Sequence, residues 1–381
     1  MSETVFLHQQ LAGFDFHSRT RVVCGEHSID QLGELAAELG ASRALVVTDA
    51  GIVAAGHVQR GLDSLSKADF ETRVFDGARE NPTTDDVDAG LAVAKEFNPD
   101  LLIGLGGGSS MDCAKGINFL LSCGGKIQDY WGVGKATAEM LPMIAVPTTP
   151  GTGSELQSFA LISDAQTHVK MACGDKRASC KVAILDPCLT LTQPPIVTAL
   201  TAVDALSHAV ETYVTTKRNP VSMILSKESF RLLTTNFETV FSDPNNLDAR
   251  SGMQLGAAFA GLAIENSMLG ASHALANPLT ATYGIAHGQA VGTMLPHVVR
   301  FNGVEFEELY RELSGKSSDQ LAEELTQFIE TAGLKVRLGE LSVDADRLPE
   351  LSEAAAKQWT GNFNPRPVDA NSLLQIYQAA I

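Results

Sequence analysis

The sequence predicts an α/β domain built on a parallel sheet, followed by an all-α domain. In the first half of the chain, short apolar runs rich in β-branched residues alternate with helix-like segments. From about Pro194 onward, strand-like runs nearly vanish and long helical periods continue to Ile381. A length of 381 residues also exceeds the usual size of one domain. We expect domains at residues 1–190 and 191–381, joined through the polar segment Leu189–Pro195.

The strands predicted in the first half are continuous apolar runs, and each is separated from the next by a helical or polar stretch. Runs that are apolar on both faces, with helices between them, indicate a parallel sheet covered by helices on both sides. The predicted strands are Arg43–Thr48, Leu101–Leu105, Met143–Val146 and Val182–Leu185, and helices are predicted at Ser28–Leu39 and Thr84–Phe97.

Composition excludes several classes of protein. Apolar residues make up 44% and charged residues 19%, which is ordinary for a globular chain with a packed core. A formal net charge of −17 argues against nucleic acid or an anionic membrane as partner, because both would repel the surface. The weakly polar stretch Met253–Ala276 is interrupted by polar side chains, so we interpret it as a buried core helix and not a membrane span.

Localisation is inferred from the N-terminus and the cysteines. Met1–Phe16 lacks a basic segment followed by an apolar run, so a signal peptide is not expected. The six cysteines include no CxxC pair, and we interpret them as free packing thiols in a reducing cytoplasm.

A glycine-rich loop follows the strand Leu101–Leu105. Gly106, Gly107 and Gly108 allow close backbone approach to a ligand, and the helix expected from about Ser110 would direct free N–H groups at a phosphate. Ser109 and Asp112 have the spacing of a capping box. The loop matches neither GxGxxG nor GxxxxGK[ST], so a purely structural turn remains an alternative.

A second loop, Pro147–Glu155, follows the next strand and offers four hydroxyl groups for ribose and phosphate contacts. Two such loops after consecutive strands would lie side by side at the carboxyl edge of the sheet, where ligands bind in open α/β folds. Asp49, at the tip of its strand, could accept hydrogen bonds from ribose hydroxyls and would repel the 2′-phosphate of NADP; a helix cap is the alternative. Together these features predict a Rossmann-like dinucleotide-binding domain.

Four side chains in the second half have metal-ligand chemistry. Asp204 and His208 share one face of a helix at i, i+4 spacing. We place His273 near the end of the Met253–Ala276 helix, and a proline and a glycine before His287 would break a continuous helix. If the four converge, three nitrogens and one carboxylate oxygen suit Fe²⁺ or Zn²⁺. Structural histidines remain the alternative.

Five segments occur in an order that resembles a known family. GGGSSMD, PTTPGTGSE, DALSHAVE, SHALANPLTATYGIAHG and the later NPRP are similar to successive signatures of the iron-dependent (group III) alcohol dehydrogenases, across essentially the whole chain. The resemblance implies the dehydroquinate synthase-like fold of that family. It also implies metal- and NAD(H)-dependent hydride transfer between a primary or secondary alcohol and its aldehyde or ketone. Members form homodimers or larger homo-oligomers.

The resemblance assigns roles position by position. It implies Asp204, His208, His273 and His287 as ligands of Fe²⁺, with Zn²⁺ possible. It implies cofactor contacts from Asp49, Asn81, Gly107, Gly108, Ser109, Thr148, Thr149, Thr152 and Lys170. It implies a substrate pocket lined by Gln157, Phe159, Ile264 and Thr360.

One position departs from the family pattern. Members commonly carry a histidine four residues after the third ligand, where this chain has Asn277, and an amide cannot exchange a proton at neutral pH. Lys170 is the other candidate for a catalytic role, and we interpret His297 as structural. Three alternatives stay open: a metal-dependent lyase or cyclase of the dehydroquinate synthase type, a metal-free maleylacetate-type reductase, and a non-catalytic NAD-binding regulator.

Overall fold

A six-stranded parallel sheet forms the centre of the N-terminal half. The computed structural model describes residues 13–381, so most of the segment considered above for a signal peptide lies outside the described residues. The sheet order is β1–β9–β6–β4–β2–β3, and every pairing is parallel. Its strands are β1 (Arg21–Cys24), β2 (Arg43–Val47), β3 (Glu71–Phe75), β4 (Leu101–Gly106), β6 (Met143–Pro147) and β9 (Val182–Leu185).

Helices cover this sheet on both faces, which confirms the predicted α/β class. They are α1 (Leu32–Glu38), α2 (Ala50–Ala54), α3 (His57–Lys67), α4 (Thr84–Phe97) and α5 (Gly108–Cys123). Separate apolar clusters lie on the two faces of the sheet. The chain runs from β2 outward to β3 and then returns across β2 to β4. The strand order therefore reverses between β2 and β4, and ligands bind at such a point in open α/β sheets.

A small second sheet was not predicted from the sequence. It has the order β5–β8–β7, with β5 (Gly132–Val133), β7 (Phe159–Ser163) and β8 (Lys170–Gly174). β7 and β8 form an antiparallel hairpin that places Phe159 opposite Gly174 and Ser163 opposite Lys170. Two predicted site residues, Phe159 and Lys170, therefore lie at opposite ends of this hairpin.

The second half is helical, as predicted. Its helices are α6 (Pro195–Val214), α7 (Pro220–Ser242), α8 (Leu247–Glu265), α9 (Ala271–Tyr283), α10 (His287–Ser314), α11 (Ser318–Thr331), α12 (Leu348–Ala355) and α13 (Ala370–Ala379). A large apolar cluster joins α6 to its neighbours, and the centre of α6 is almost fully buried.

The interpretation of Met253–Ala276 as one helix is wrong. α8 ends at Glu265, and Gly270 adopts φ −136° and ψ −143°, outside the helical region. His273 therefore lies in the first turn of α9 and not at the end of the preceding helix. The predicted break before His287 is confirmed at Gly284, which ends α9 with φ +67° before α10 begins at His287, whereas Pro278 lies inside α9 and does not end it.

Two other expectations are tested in the described part of the chain. No helix within residues 13–381 combines the length and apolar character needed to cross a membrane. All six cysteines lie in this range, and each is a free thiol.

Candidate active site

The two loops expected to hold a dinucleotide lie side by side. β4 and β6 are neighbours in the sheet, so the loops that follow them leave from the same carboxyl edge. The backbone N–H of Thr148 donates to the carbonyl of Gly106 at 2.9 Å, which joins the two loops directly. The Thr148 hydroxyl is buried and has no hydrogen-bond partner within the described chain.

The start of α5 differs from the predicted capping box. The helix begins at Gly108 after Gly107, and no side chain caps it, so its first N–H groups are open. The Asp112 carboxylate instead accepts a hydrogen bond from the Ser154 hydroxyl at 2.8 Å. A Cβ on Gly108 would lie 2.6 Å from the Thr152 hydroxyl oxygen, so glycine allows this close approach of the loops.

Asp49 caps a helix, which is the alternative role considered for it, and it also lies beside the glycine loop. Its Oδ1 caps α2 by accepting from the N–H groups of Gly51 at 2.9 Å and Ile52 at 3.1 Å. Its Oδ2 accepts from the Ser110 hydroxyl at 3.3 Å, which holds the carboxylate beside the glycine loop. The cap therefore fixes Asp49 at the edge where the strand order reverses.

Asn81 connects two other predicted cofactor residues. Its backbone N–H donates to the Ser109 hydroxyl at 3.2 Å, and its side-chain oxygen accepts from Lys170 Nζ at 3.2 Å. Desolvation lowers the pKa of Lys170 although its side chain still reaches solvent, and Asp112 and Asp204 act in the opposite direction. Lys170 also acts electrostatically on His287, so the cofactor side and the histidine cluster are close.

The four predicted metal ligands converge, with Asp204 at their centre. Its Oδ1 lies 3.4 Å from His208 Nε2 and 3.8 Å from the Nε2 atoms of His273 and His287. The ligand atoms of Asp204, His208 and His273 all lie within 4.8 Å of one another; His287 falls outside this tighter group. Its side chain is 29% exposed, against 5% for that of His273, so His287 lies at the open side of the cluster.

The cluster contains buried polar atoms that the protein does not satisfy. Across residues 13–381, Asp204 Oδ1 and His273 Nε2 lack a hydrogen-bond partner, although burying such atoms unpaired is costly. Burial would raise the pKa of Asp204, but the three imidazoles lower it well below its usual range. Burial would lower the pKa of His273, but Glu211 and Asp204 raise it to about 9. The Asp204 carboxylate is therefore held ionised at the centre of the cluster, which fits a cation, while burial lowers the pKa values of His208 and His287 and favours their neutral, ligand-competent form.

Glu211 is a site residue that we did not predict. Its buried carboxylate accepts from the backbone N–H of Ser272 at 2.6 Å and lies 2.5 Å from His273 Nδ1. The first contact places an anion at the N-terminus of α9, and the second leaves Nε2 of His273 facing Asp204. Metal-binding histidines commonly donate their other nitrogen to a carboxylate in this way. The spacing of Asp204, His208 and Glu211 at i, i+4 and i+7 could have revealed it.

The predicted substrate-pocket residues lie on the segment after β6, the β7 hairpin, the end of α8 and the segment after α12. Gln157 does not project freely, because its amide donates to the carbonyl of Thr152 at 2.7 Å. The ring of Phe159 packs 6.2 Å from that of Trp359, centroid to centroid, and the Thr360 hydroxyl is buried without a partner in the described residues. Ile264 is 5% exposed, near the end of α8.

Asn277 neighbours one of the predicted ligands, and His297 lies outside the predicted ligand set. Asn277 follows His273 by one turn of α9, and its amide donates to the side chain of Gln358 at 2.9 Å. The Asn277 side chain therefore has a neutral hydrogen-bond partner. His297 lies on α10, where burial lowers its pKa to about 4, and it belongs to no metal-ligand group within the described chain.

Lys115 is a second residue that sequence reasoning missed. Its side chain on α5 is fully buried, and its Nζ, with three N–H donors, lies within hydrogen-bonding distance of four oxygen atoms in the second loop and the segment after it. The acceptors are the carbonyl and hydroxyl of Ser154 at 2.7 and 2.9 Å, and the carbonyls of Gln157 and Phe159 at 2.8 and 3.0 Å. The ammonium group therefore ties three successive parts of this segment to α5.

The second loop also touches the helical half. A Cβ on Gly261 of α8 would lie 2.4 Å from the carbonyl oxygen and 2.6 Å from the Cα of Gly153. Gly153 has φ +63°, a conformation that favours glycine. Backbone therefore packs directly on backbone where the loop meets α8, and neither residue leaves room for a side chain.

We expect Gly261→Ala to destabilise the protein by about 1–3 kcal/mol, because an overpacked contact between two backbones cannot relax by a rotamer change. It should also weaken NAD binding by displacing the loop. Urea unfolding and NAD titration measure the two effects. Gly252→Ala on the same helix is the matched control, since the three atoms nearest its Cβ would all belong to the Asn236 side chain, which can change rotamer. Equal behaviour of the two variants would contradict the importance of this contact.

The chain is similar to known proteins over nearly its whole length. The model for "Iron-containing alcohol dehydrogenase" matches residues 19–187, and the model for "Fe-containing alcohol dehydrogenase family, C-terminal" matches residues 198–381. A 1,3-propanediol dehydrogenase of Klebsiella pneumoniae is 33% identical over 370 residues, 93% of this chain and 96% of that protein. A choline dehydrogenase of Bacillus subtilis is 32% identical, covering 95% of this chain and 94% of that protein.

Solved structures are similar over nearly the full length. A 1,3-propanediol oxidoreductase superposes with a TM-score of 0.92 at 33% identity, covering 97% of this chain and 100% of that one. A sulfoacetaldehyde reductase from Bifidobacterium kashiwanohense, in complex with NAD⁺, gives a TM-score of 0.90 at 27% identity, with 97% and 98% covered. The lyase or cyclase alternative is not favoured by these relatives. The chain therefore belongs to the iron-containing alcohol dehydrogenase family, and it is a metal-dependent alcohol oxidoreductase.

Proposed function

We propose that Asp204, His208, His273 and His287 hold one divalent cation, Fe²⁺ in preference to Zn²⁺, and that the enzyme uses NAD(H). The observation that carries the metal assignment is the pair of buried, unsatisfied atoms, Asp204 Oδ1 and His273 Nε2, at the centre of the imidazole cluster within the described chain. One carboxylate and three imidazoles suit either metal and leave coordination positions open.

A cation held there would polarise the oxygen of an alcohol or carbonyl substrate. In this proposal Glu211 fixes the orientation of His273, and Lys170, Asn81 and Ser109 position the cofactor between residues 1–190 and 191–381. The Asn277 amide cannot accept the proton that leaves the alcohol, so water or a cofactor hydroxyl carries it to solvent.

We further propose that the substrate is a primary or secondary alcohol, or its aldehyde or ketone. Relatives are named for propanediol, methanol and choline, so the class is common while the individual alcohol varies. Phe159 and Trp359 would supply an apolar wall for the carbon chain, and Gln157, Ile264 and Thr360 the rest of the lining. A cytoplasmic homodimer or larger homo-oligomer completes the proposal.

Elemental analysis of the purified protein, combined with a panel of alcohols and aldehydes, tests it directly. We expect about one transition-metal ion per chain and reduction of NAD by simple alcohols. A lyase or cyclase would use NAD transiently and leave no net NADH. Retention of full turnover after complete removal of metal would contradict the proposed site and favour a metal-free reductase.

We expect Glu211→Gln to reduce metal affinity by roughly 10–100-fold, the usual effect of removing a carboxylate behind a metal-binding histidine. The amide keeps the shape of the side chain but cannot hold His273 with a negative charge. Competition with a chelator measures the affinity. Glu312→Gln provides a control, because Glu312 contacts Tyr213 on the other side of α6. An unchanged affinity in Glu211→Gln would remove Glu211 from the site.

We expect Asp49→Gly to raise the preference for NADP over NAD by at least about tenfold, because a like-charge contact with the 2′-phosphate costs more than 1.4 kcal/mol. The ratio of kcat/KM values for the two cofactors measures it. Asp49→Asn is the matched variant: its side-chain oxygen retains the cap on α2 but carries no charge. If neither variant changes the ratio, Asp49 does not face the ribose.

A further inference from the structure

A second group of ligand-type side chains lies at the same carboxyl edge of the large sheet. The turn after β1 carries Glu26 and His27, and the turn after the adjacent strand β9 carries Cys188. One potential ligand atom from each of these residues lies within 4.8 Å of the other two. Glu26 and His27 are exposed and Cys188 is partly buried, so an ion in solution can reach all three.

A buried carboxylate holds the two turns in place. Asp186, which is fully buried, accepts at Oδ1 from the backbone N–H groups of His27 at 3.1 Å and Cys188 at 3.0 Å. Its Oδ2 accepts from the N–H of Ile29 at 3.3 Å. The backbones that carry the imidazole and the thiol are thus fixed to the same oxygen atom. Because the backbones of both turns are already fixed, an ion that binds there has to order less of the chain, and the entropic cost of binding is lower.

The guanidinium group of Arg60 would compete with a bound ion for the position beside His27. Arg60 Nη2 lies 3.3 Å from His27 Nδ1, and it also approaches Asp30 at 3.5 Å and Asp186 at 3.6 Å. If an ion takes the imidazole, Arg60 keeps both carboxylate partners, so its displacement from His27 leaves no unpaired charge. The position already accommodates a positive group between His27 and two acids.

We propose that Glu26, His27 and Cys188 form a binding site for a thiophilic divalent cation of the Zn²⁺ type, separate from the Asp204 cluster. Thiolate, imidazole and carboxylate are all Zn²⁺ ligands, and three of them with one water complete a tetrahedral site. On binding, Cys188 transfers its thiol proton to solvent and a sulfur–metal bond forms. The ion would link the β1 turn to the β9 turn beside the cofactor edge.

Cobalt titration of the purified, metal-loaded enzyme tests this proposal. Co²⁺ bound to a thiolate gives a near-ultraviolet charge-transfer band, and the Asp204 cluster has no cysteine in the described chain. The band therefore reports a site that contains a thiolate and not the Asp204 cluster. We expect it in the wild-type enzyme with one additional metal equivalent, and we expect Zn²⁺ to abolish it by competition.

Variants separate this site from other thiols and from the proposed catalytic metal. Cys188→Ser should remove the band, and Cys123→Ser, at another partly exposed cysteine, should retain it. His27→Asn should weaken cobalt binding at least about tenfold while tolerating φ +60°, a conformation that asparagine adopts readily. His273→Ala should retain the band, since the two sites are independent. No band in the wild type, or a band that survives in Cys188→Ser, overturns the proposal.

Discussion

Replacing His273 by alanine is expected to lower kcat/KM by about a thousandfold or more and to remove the bound metal. The proposed cation supplies several kcal/mol by polarising the substrate oxygen, and each 1.36 kcal/mol corresponds to tenfold in rate. The variant also leaves the buried carboxylate of Glu211 with only backbone donors, such as the N–H of Ser272. Metal content and steady-state kinetics on the same preparation measure the two losses.

Two further variants make this result interpretable. His273→Gln keeps a neutral N–H donor toward Glu211 and therefore separates loss of the ligand from loss of fold, which circular dichroism monitors. His297→Ala, which removes an imidazole from α10 outside the cluster, should retain metal and turnover. Stoichiometric metal together with full activity in His273→Ala would show that His273 is not a ligand.

The fold was predictable where burial is complete. β2, β4, β6 and β9 were found to within one residue because most of their side chains are buried, so each is a continuous apolar run. The edge strands β1 and β3 were missed, since most of their side chains reach solvent and no such run exists. The β7–β8 hairpin was missed for a similar reason, because exposed and buried positions mix along both strands.

The candidate site was predictable where its residues share a motif, and not where partners come from distant segments. Asp204 and His208 follow from helical spacing, and the convergence of His273 and His287 on them followed only from the family resemblance. Glu211 lies on the same helix, but its role in the site depends on the packing of α9, which brings Ser272 to it. The approach of Cys188 to Glu26 and His27 likewise depends on the pairing of β1 with β9.

Replacing Lys115 by methionine is expected to lower the free energy of unfolding of the N-terminal half by about 3–5 kcal/mol, the usual cost of removing one partner from a buried ionic group. Three backbone carbonyls lose their donor, and the buried carboxylate of Asp112 loses the positive charge that offsets the rise in its pKa caused by burial. Because Ser154 lies in the loop proposed to hold NAD, cofactor affinity should fall as well. Urea unfolding and NAD titration measure these effects.

Lys95→Met, on the exposed face of α4, is the matched control and should change stability by no more than about 0.5 kcal/mol. Asp112→Asn distinguishes charge from hydrogen bonding, since the amide oxygen can still accept from Ser154. If the buried charge is the larger cost, the double variant Lys115→Met, Asp112→Asn should be more stable than Lys115→Met alone. If the changes in the free energy of unfolding caused by the two substitutions are instead additive, the lost hydrogen bonds to Ser154, Gln157 and Phe159 account for the effect. In that case Lys115 acts mainly by holding the backbone of this segment.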